Sequence, residues 1–267
     1  AYAFTVAKAT ELDVLSALQL QVEMAISQGK TLRQFQNELQ PLLEKLGWWG
    51  RQEAIDPLTG EVMQAQLGSP RRLKTIYEAN MRSAHAAGQW QRAERTKEDL
   101  PYLLRTLGPS REHRDEHVAW HGTLLPIDDP WWDSHMPPNG CGCKCRVRQI
   151  DRAEHAGLVK GGLPAADRKQ IINPETGLPT GHRDKTRQPV RTTAPVIRLQ
   201  RWKNKRTGKT EMVPEGIDPG WDTNPGKYRQ QAMEKMLAGK MAAADPQLAA
   251  VIKRDLEAYA IKTAGSV

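Results

Sequence analysis

Residues 113–146 constrain this chain more than any other stretch: HRDEHVAWHG, then LLPIDDPWWDSHMPPNGCGCKCR. Three histidines at four-residue spacing, a Pro/Trp/Asp-rich loop and all three cysteines fall within about an eighth of the sequence. Thiolate and imidazole are the side chains that build closed tetrahedral zinc sites, so the segment predicts a metal-stitched loop. His113, His117 and His121 stand at i, i+4 and i+8 and would line one face of a helix. Cys143 and Cys145, one residue apart, would point to the same side of an extended segment. One His pair and one Cys pair make a Cys2His2 set. The spacing is neither C-x-x-C nor that of a zinc finger, so His117 with one cysteine and two other groups fits as well. Free cysteines also serve as small buried hydrophobes.

The rest of the first half reads as helix. Thr10 with Asp13 resembles a capping box, and Leu15, Leu18, Val22 and Ile26 recur on one face until Gly29. Thr31 with Gln34 opens a second helix carrying Phe35, Leu39, Leu42, Leu43 and Leu46, which Pro41 should kink or restart. The two form a helical hairpin, and Trp48 and Trp49 follow as packing anchors. Asp56–Gly60 is turn sequence within a loop or β-hairpin over 51–68. Ser69 and Pro70 start the longest helix, with Leu73, Ile76, Tyr77, Ala84 and Ala87 on one face. Tyr102–Leu107 predicts a strand.

After Asp151 the texture changes. Residues 161–195 contain GGLP, NPETGLPTG and PVRTTAP and predict an extended linker. Val196–Trp202 and Thr210–Val213 can pair across NKRTG. GIDPGWDTNPG holds too many turn formers for a regular element, and its Trp221 is read as a docked anchor. Two short helices close the chain, the second capped by Asp245 and Pro246. The expected fold is α+β and mostly α-helical: a helical core with a small β element and a zinc-stapled loop, then an extended C-terminal arm. Its parts are 1–66, 67–150, 151–226 and 227–267.

A formal charge of +8 favours polyanionic partners. Between Arg183 and Lys209 there are ten Lys/Arg residues and one Asp. Arg198, Arg201, Lys203, Lys205 and Arg206 are the candidates for nucleic-acid or partner binding, and a solvated arm lying on an acidic protein surface accounts for them equally well. A hydrophobic content of 39% is low and suits extended arms. No apolar run approaches the roughly 20 residues of a membrane span. Three clustered cysteines do not make a disulfide framework, and a soluble protein made in the reducing cytoplasm is expected.

The order REHRDEHVAWHG, PIDDPWWD and PPNGCGCKCRV resembles the phage Mu protein F family of minor head proteins, related to the wider phage head morphogenesis group. AFTVAKAT, GWWG at 47–50, QLGSPRRLKTIYEANMRSAHAAG and GIDPGWDTNPG at 216–226 resemble segments of the family in the same order. The wider group often carries a cysteine pair where this chain has His113–His117, and a later C-x-C. The resemblance therefore carries over His117, Cys143 and Cys145 as ligands. The fourth does not carry over, and His113 is the substitute; Cys141 is read as packing. The chain begins at Ala1 inside what resembles the conserved region, so an N-terminal segment is expected to be missing.

What the resemblance implies is a structural protein of a tailed-phage head, acting in head assembly at the portal vertex inside the capsid. Its partners would be the portal and capsid proteins and the packaged DNA, with no membrane. It would be made in the host cytoplasm and end in the virion. Trp48, Trp49, Trp131, Trp132 and Trp221 are the interface anchors. The competing classes are a metal-dependent nuclease using Asp128, Asp129 or Asp133, and a DNA-binding protein. A site of two thiolates and two imidazoles is closed and structural, and no GxSxG, HExxH or P-loop pattern is present, so a non-enzymatic role is expected.

Overall fold

The computed structural model describes residues 12–55, 60–110, 112–165, 170–176, 178–183, 186–204, 208–227 and Arg254. The proposed cap residue Thr10, most of the 56–60 turn, Lys205, Arg206 and the two C-terminal helices lie outside the described residues. Among the described residues helix and strand are mixed, with six named helices and eleven strands, and the strands form five small sheets rather than the one small β element expected.

Helix α1 (Leu12–Gln28) ends at Gly29, whose φ of 65° suits a residue without a Cβ. Helix α2 (Leu32–Lys45) starts with the expected capping box: Thr31 Oγ1 accepts from Gln34 N, and Gln34 Oε1 accepts from Thr31 N. It runs on through Pro41, which lies on the exposed side, where water can satisfy the carbonyl that proline leaves without a donor. The buried stripe of α1 is Val14, Leu18, Val22 and Ala25; Ile26 is exposed, so the packing face is rotated from the expected one. These residues pack with Phe35, Leu39, Leu43, Trp48, Leu73 and Ile76 in a first core.

Strands β1 (Arg51–Ile55) and β2 (Val62–Gln66) form an antiparallel hairpin. Helix α3 (Pro70–Arg95) begins where Ser69 Oγ accepts from Arg72 N at 3.2 Å. Its first half closes the first core through Leu73 and Ile76, and its second half enters another core through Trp90 and Ala93. There it meets a three-stranded antiparallel sheet. Central β3 (Tyr102–Thr106) lies between β4 (Leu124–Pro126) and β5 (Arg146–Ile150). Helix α4 (Asp115–Ala119) lies between β3 and β4 in sequence, and α5 (Trp132–His135) between β4 and β5. The second core gathers Trp90, Leu103, Trp120, Leu125, Trp131, Trp132 and Val147, and Ile217 joins it from the arm.

Helix α6 (Arg152–Gly161) is capped by Asp151 Oδ1, which accepts from Glu154 N at 2.7 Å. The expected linker holds short strands: β6 (Leu163–Pro164) pairs with β9 (Arg187–Gln188), and β7 (Gln170–Ile172) with β8 (Pro179–Arg183). Strands β10 (Leu199–Lys203) and β11 (Thr210–Pro214) make the expected basic hairpin. Among the described residues no helix is long and apolar enough to cross a membrane.

Candidate metal centre

The histidine stripe does not form, because α4 has only five residues. His113 precedes the helix and His121 follows it. Leu107 N donates to His121 Nδ1 at 3.1 Å, which leaves Nε2 to donate to the Pro164 carbonyl at 3.1 Å. Both ring nitrogens are thus occupied in holding loops together, and burial pushes the imidazole pKa down.

His117 is buried and its ring stacks on Trp120, centroids 5.1 Å apart. Its Nε2 lies 2.8 Å from the Gly216 carbonyl, so that nitrogen donates and Nδ1 is left facing Cys145 Sγ at 3.5 Å and Cys143 Sγ at 3.9 Å. A carbonyl on the far nitrogen is the usual way of fixing a ligand imidazole's tautomer. The three donor atoms lie within 4.8 Å of one another, close enough for one metal ion. His113 is not in this group, so the structure brings together three of the four sequence-predicted ligands.

The sulfurs sit among backbone donors. Cys143 follows a turn in which its N–H donates to the Gly140 carbonyl, with Gly142 at a φ of 77°. Cys143 Sγ accepts from the N–H groups of Asn139 and Cys145, and Cys145 Sγ from that of Gly108. Gly108 is required for this approach: a Cβ there would lie 1.7 Å from the Lys144 carbonyl oxygen. The Cys145 S–H holds the Cys143 thiol well below its usual range, with His117 and the backbone N–H groups adding to it against burial. The second proton is correspondingly hard to remove, so Cys145 is raised. Left to themselves the two sulfurs keep one proton between them; a divalent cation would displace it and take both as thiolates.

Arg105, on β3, is only 1% exposed, and its guanidinium lies over Trp120 at 5.0 Å and Trp131 at 5.8 Å from the ring centroids. It donates to the His135 carbonyl, and among the described residues the negative groups acting on it are Cys145 and Cys143, with no carboxylate. A buried cation needs a counter-charge, and here the singly ionised Cys143–Cys145 pair supplies it. His135 stacks on Trp131 and meets the edge of Trp120; burial first, then Arg105, lower its pKa to about 4.

The GIDPG segment closes one side. Arg114 pairs with Asp218 at 2.8 Å, and Asp218 Oδ2 accepts from Cys141 N at 2.9 Å. Burial alone would raise the Asp218 carboxyl; the guanidinium and the N–H more than offset it and hold it low. Cys141 itself is exposed, contrary to a packing role.

The tryptophans have internal duties. Trp48, Trp131 and Trp132 are buried in this chain's own cores, so they are not free to anchor a partner. Trp49 and Trp221 are partly buried against the first and second cores. Asp129 accepts from Trp131 N at 2.8 Å, Asp133 pairs with Lys227 and Asp128 with Lys97, so these acids are turn and ion-pair residues rather than ligands. Arg198, Arg201 and Lys203 are exposed on or beside the β10–β11 hairpin. Sequence reasoning missed Arg105, whose signal is a cation in the middle of the apolar run Tyr-Leu-Leu-Arg-Thr. It also missed Asp218, for which no sequence signal exists.

Residues 16–148 match the family described as Phage Mu protein F like protein. Over 248 residues the chain is 35% identical to the "Putative capsid assembly protein F" of Escherichia phage Mu, covering 93% of this chain and 53% of that relative. Over 226 residues it is 34% identical to the "Mu-like prophage FluMu F protein" of Haemophilus influenzae, covering 85% and 50%. The chain thus spans about half the length of the curated relatives it matches. No solved structure matches it.

Proposed function

Because the chain belongs to the Phage Mu protein F like family, we propose that it is a structural protein of a tailed-phage head, acting in head assembly at the portal vertex inside the capsid. The observation that carries this reading is the identity along 93% of the chain to a relative named for capsid assembly. Portal and capsid proteins are its partners on this reading, and the cations Arg198, Arg201 and Lys203, with Lys205 and Arg206, are available to an acidic partner, a head protein or packaged DNA.

Zinc is the metal that suits the donor set, since two thiolates and an imidazole match its preference for sulfur and nitrogen. His117, Cys143 and Cys145 would hold it, and the His113 loop would have to draw in to close the set. Bound there, zinc supplies folding energy rather than chemistry. It would tie α4 to the cysteine loop, while His117 carries the arm through Gly216. The helical body is then the docking surface, and the loop carrying Trp131 and Trp132 is fixed beneath it.

The test is complementation of a phage lacking this gene. Wild-type protein should restore filled heads and be found in them, and the double variant Cys143→Ser, Cys145→Ser should restore few. Normal yields of filled heads without the protein would sink the reading.

A second reading, metal-assisted phosphodiester hydrolysis, is favoured by one observation: three ligands, not four, stand together. Catalytic zinc sites keep such an open position. Metal-dependent cleavage of DNA that disappears in His117→Ala would establish it.

A further inference from the structure

The cross-strand register gives the β10–β11 hairpin two faces. Leu199, Arg201 and Lys203 share one face with their ladder partners Pro214, Met212 and Thr210, while Gln200 and Trp202 share the other with Val213 and Glu211. Val213 is buried and Trp202 partly so, which turns their face toward the protein body. Pro214 is buried at the root of the first face, but the rest of that face is open: Leu199 and Met212 are each 53% exposed beside the exposed Arg201 and Lys203. Just upstream, Val196 is 84% exposed in a segment without regular structure. Beside the hairpin's root an open groove of about 280 Å³ is lined by Val196 and Trp120, by Arg191 and Arg198, and by the carboxylates of Glu116 and Glu215, so among the described residues the free cations lie out along the strand rather than in the groove.

Among the described residues β10 pairs with β11 alone, so its outer edge carries main-chain groups that another strand can take up. An isolated two-stranded hairpin is marginal in water and gains from a third strand. The side chains on that edge select the partner. Phosphate backbones would engage the cations but leave Val196, Leu199 and Met212 in water, and this face has no aromatic platform for bases. An extended peptide with aliphatic and acidic residues on one face satisfies all three demands: edge hydrogen bonds, aliphatic burial and counter-charge.

We propose that the β10 edge is a docking site for an extended, acidic and aliphatic segment of another head protein, which adds to the hairpin as a strand. This rests on the head-assembly reading for the identity of the partner, but its chemistry can be tested alone.

The probe is a fluorescent peptide, Val-Thr-Glu-Thr-Glu-Thr, which places Val and both Glu on one face. Its binding to the full chain is compared by anisotropy with a diglutamate peptide of equal length and charge otherwise made of Gly and Ser, and with duplex DNA. The strand peptide should bind at least roughly tenfold more tightly than the flexible one. Leu199→Ser with Met212→Ser should erase that advantage, and Arg201→Glu with Lys203→Glu should abolish binding of both. Because both pairs are exposed, an unchanged melting temperature checks the fold. Equal binding of the two peptides, tighter binding of DNA, or no binding of any probe overturns the proposal. So does concentration-dependent self-association that the Leu199 and Met212 changes remove, which would assign the edge to a second copy. Complementation separates the readings: a failed peptide with heads that still need the protein refutes only the docking site.

Discussion

His117 Nε2 donates to the Gly216 carbonyl at 2.8 Å, so the imidazole that faces two thiols also anchors a segment 99 residues further on. Through this one ring the cysteine loop, α4 and the arm share a fate. Asp218 repeats the connection with both Arg114 and Cys141 N.

Purified protein should contain about one zinc per chain by elemental analysis, and Cys143→Ser with Cys145→Ser should remove it. Structural zinc in small peptides contributes about 10–16 kcal/mol of binding energy, so its loss should cost several kcal/mol of folding stability even here, where two cores remain. His113→Ala should weaken zinc at least tenfold if that loop closes the set. Unchanged affinity in His113→Ala would leave a three-ligand site and strengthen the hydrolytic reading. No metal in protein prepared without chelators would leave a packed thiol cluster.

Chelation should loosen the arm selectively. In hydrogen exchange, the amides of Asp218 and Asn224, which donate to the carbonyls of Asn139 and Asp133, should exchange about tenfold faster, equivalent to about 1.4 kcal/mol. Amides of α1 and α2, in the other core, should not change. Uniform acceleration across both would mean the site staples the whole fold.

What the residues disclosed and what they hid follow from range. Thr31 with Gln34 and Ser69 before Pro70 are local devices, complete within four residues, and the structure contains them as read. The β10–β11 hairpin was legible for the same reason: the Asn-Lys-Arg-Thr-Gly turn lies between its strands. The histidine spacing misled because a four-residue period implies a shared face only if the helix persists, and α4 ends after one turn and a half. Strands such as β6 and β9 are two residues each and pair residues 23 and 25 positions apart, so no local pattern announces them. Of the site, Cys143, Cys145 and His117 were readable from chemistry and resemblance. Gly108 and Asp218 were not, since their roles exist only once distant loops meet.

Arg105→Met should be among the costlier single changes, about 2–4 kcal/mol, because it removes the cation that sits between the tryptophans and the thiolates. Arg105→Lys should rescue little, since an ammonium cannot lie flat on two indole faces while reaching the His135 carbonyl. Chemical denaturation of both variants, with zinc present, provides the measurement. Equal stability of Arg105→Met and wild type would mean the thiolates need no counter-charge and that a bound metal neutralises them alone.

Stability should fall as the pH drops from about 6.5 to about 4. His135 is neutral in the fold because burial and the nearby Arg105 hold its pKa at about 4, against an ordinary value of 6.5. Between those values the unfolded chain binds a proton that the folded chain refuses, so acid favours unfolding. Above 6.5 both states are neutral and the contribution is flat. At 1.36 kcal/mol per pKa unit the loss is on the order of 3 kcal/mol. Asp218, whose carboxyl is held low, adds a further decline beginning near its unfolded pKa of about 4 and continuing as the pH falls through its folded value. His135→Phe keeps a ring beside Trp131 and leaves the backbone carbonyl that Arg105 uses, so it should flatten the decline between pH 6.5 and 4 and leave the lower one. Urea titrations across that range, run on wild type and His135→Phe, decide the matter. A slope that persists in the variant would move the acid sensitivity away from His135 to other groups of the fold.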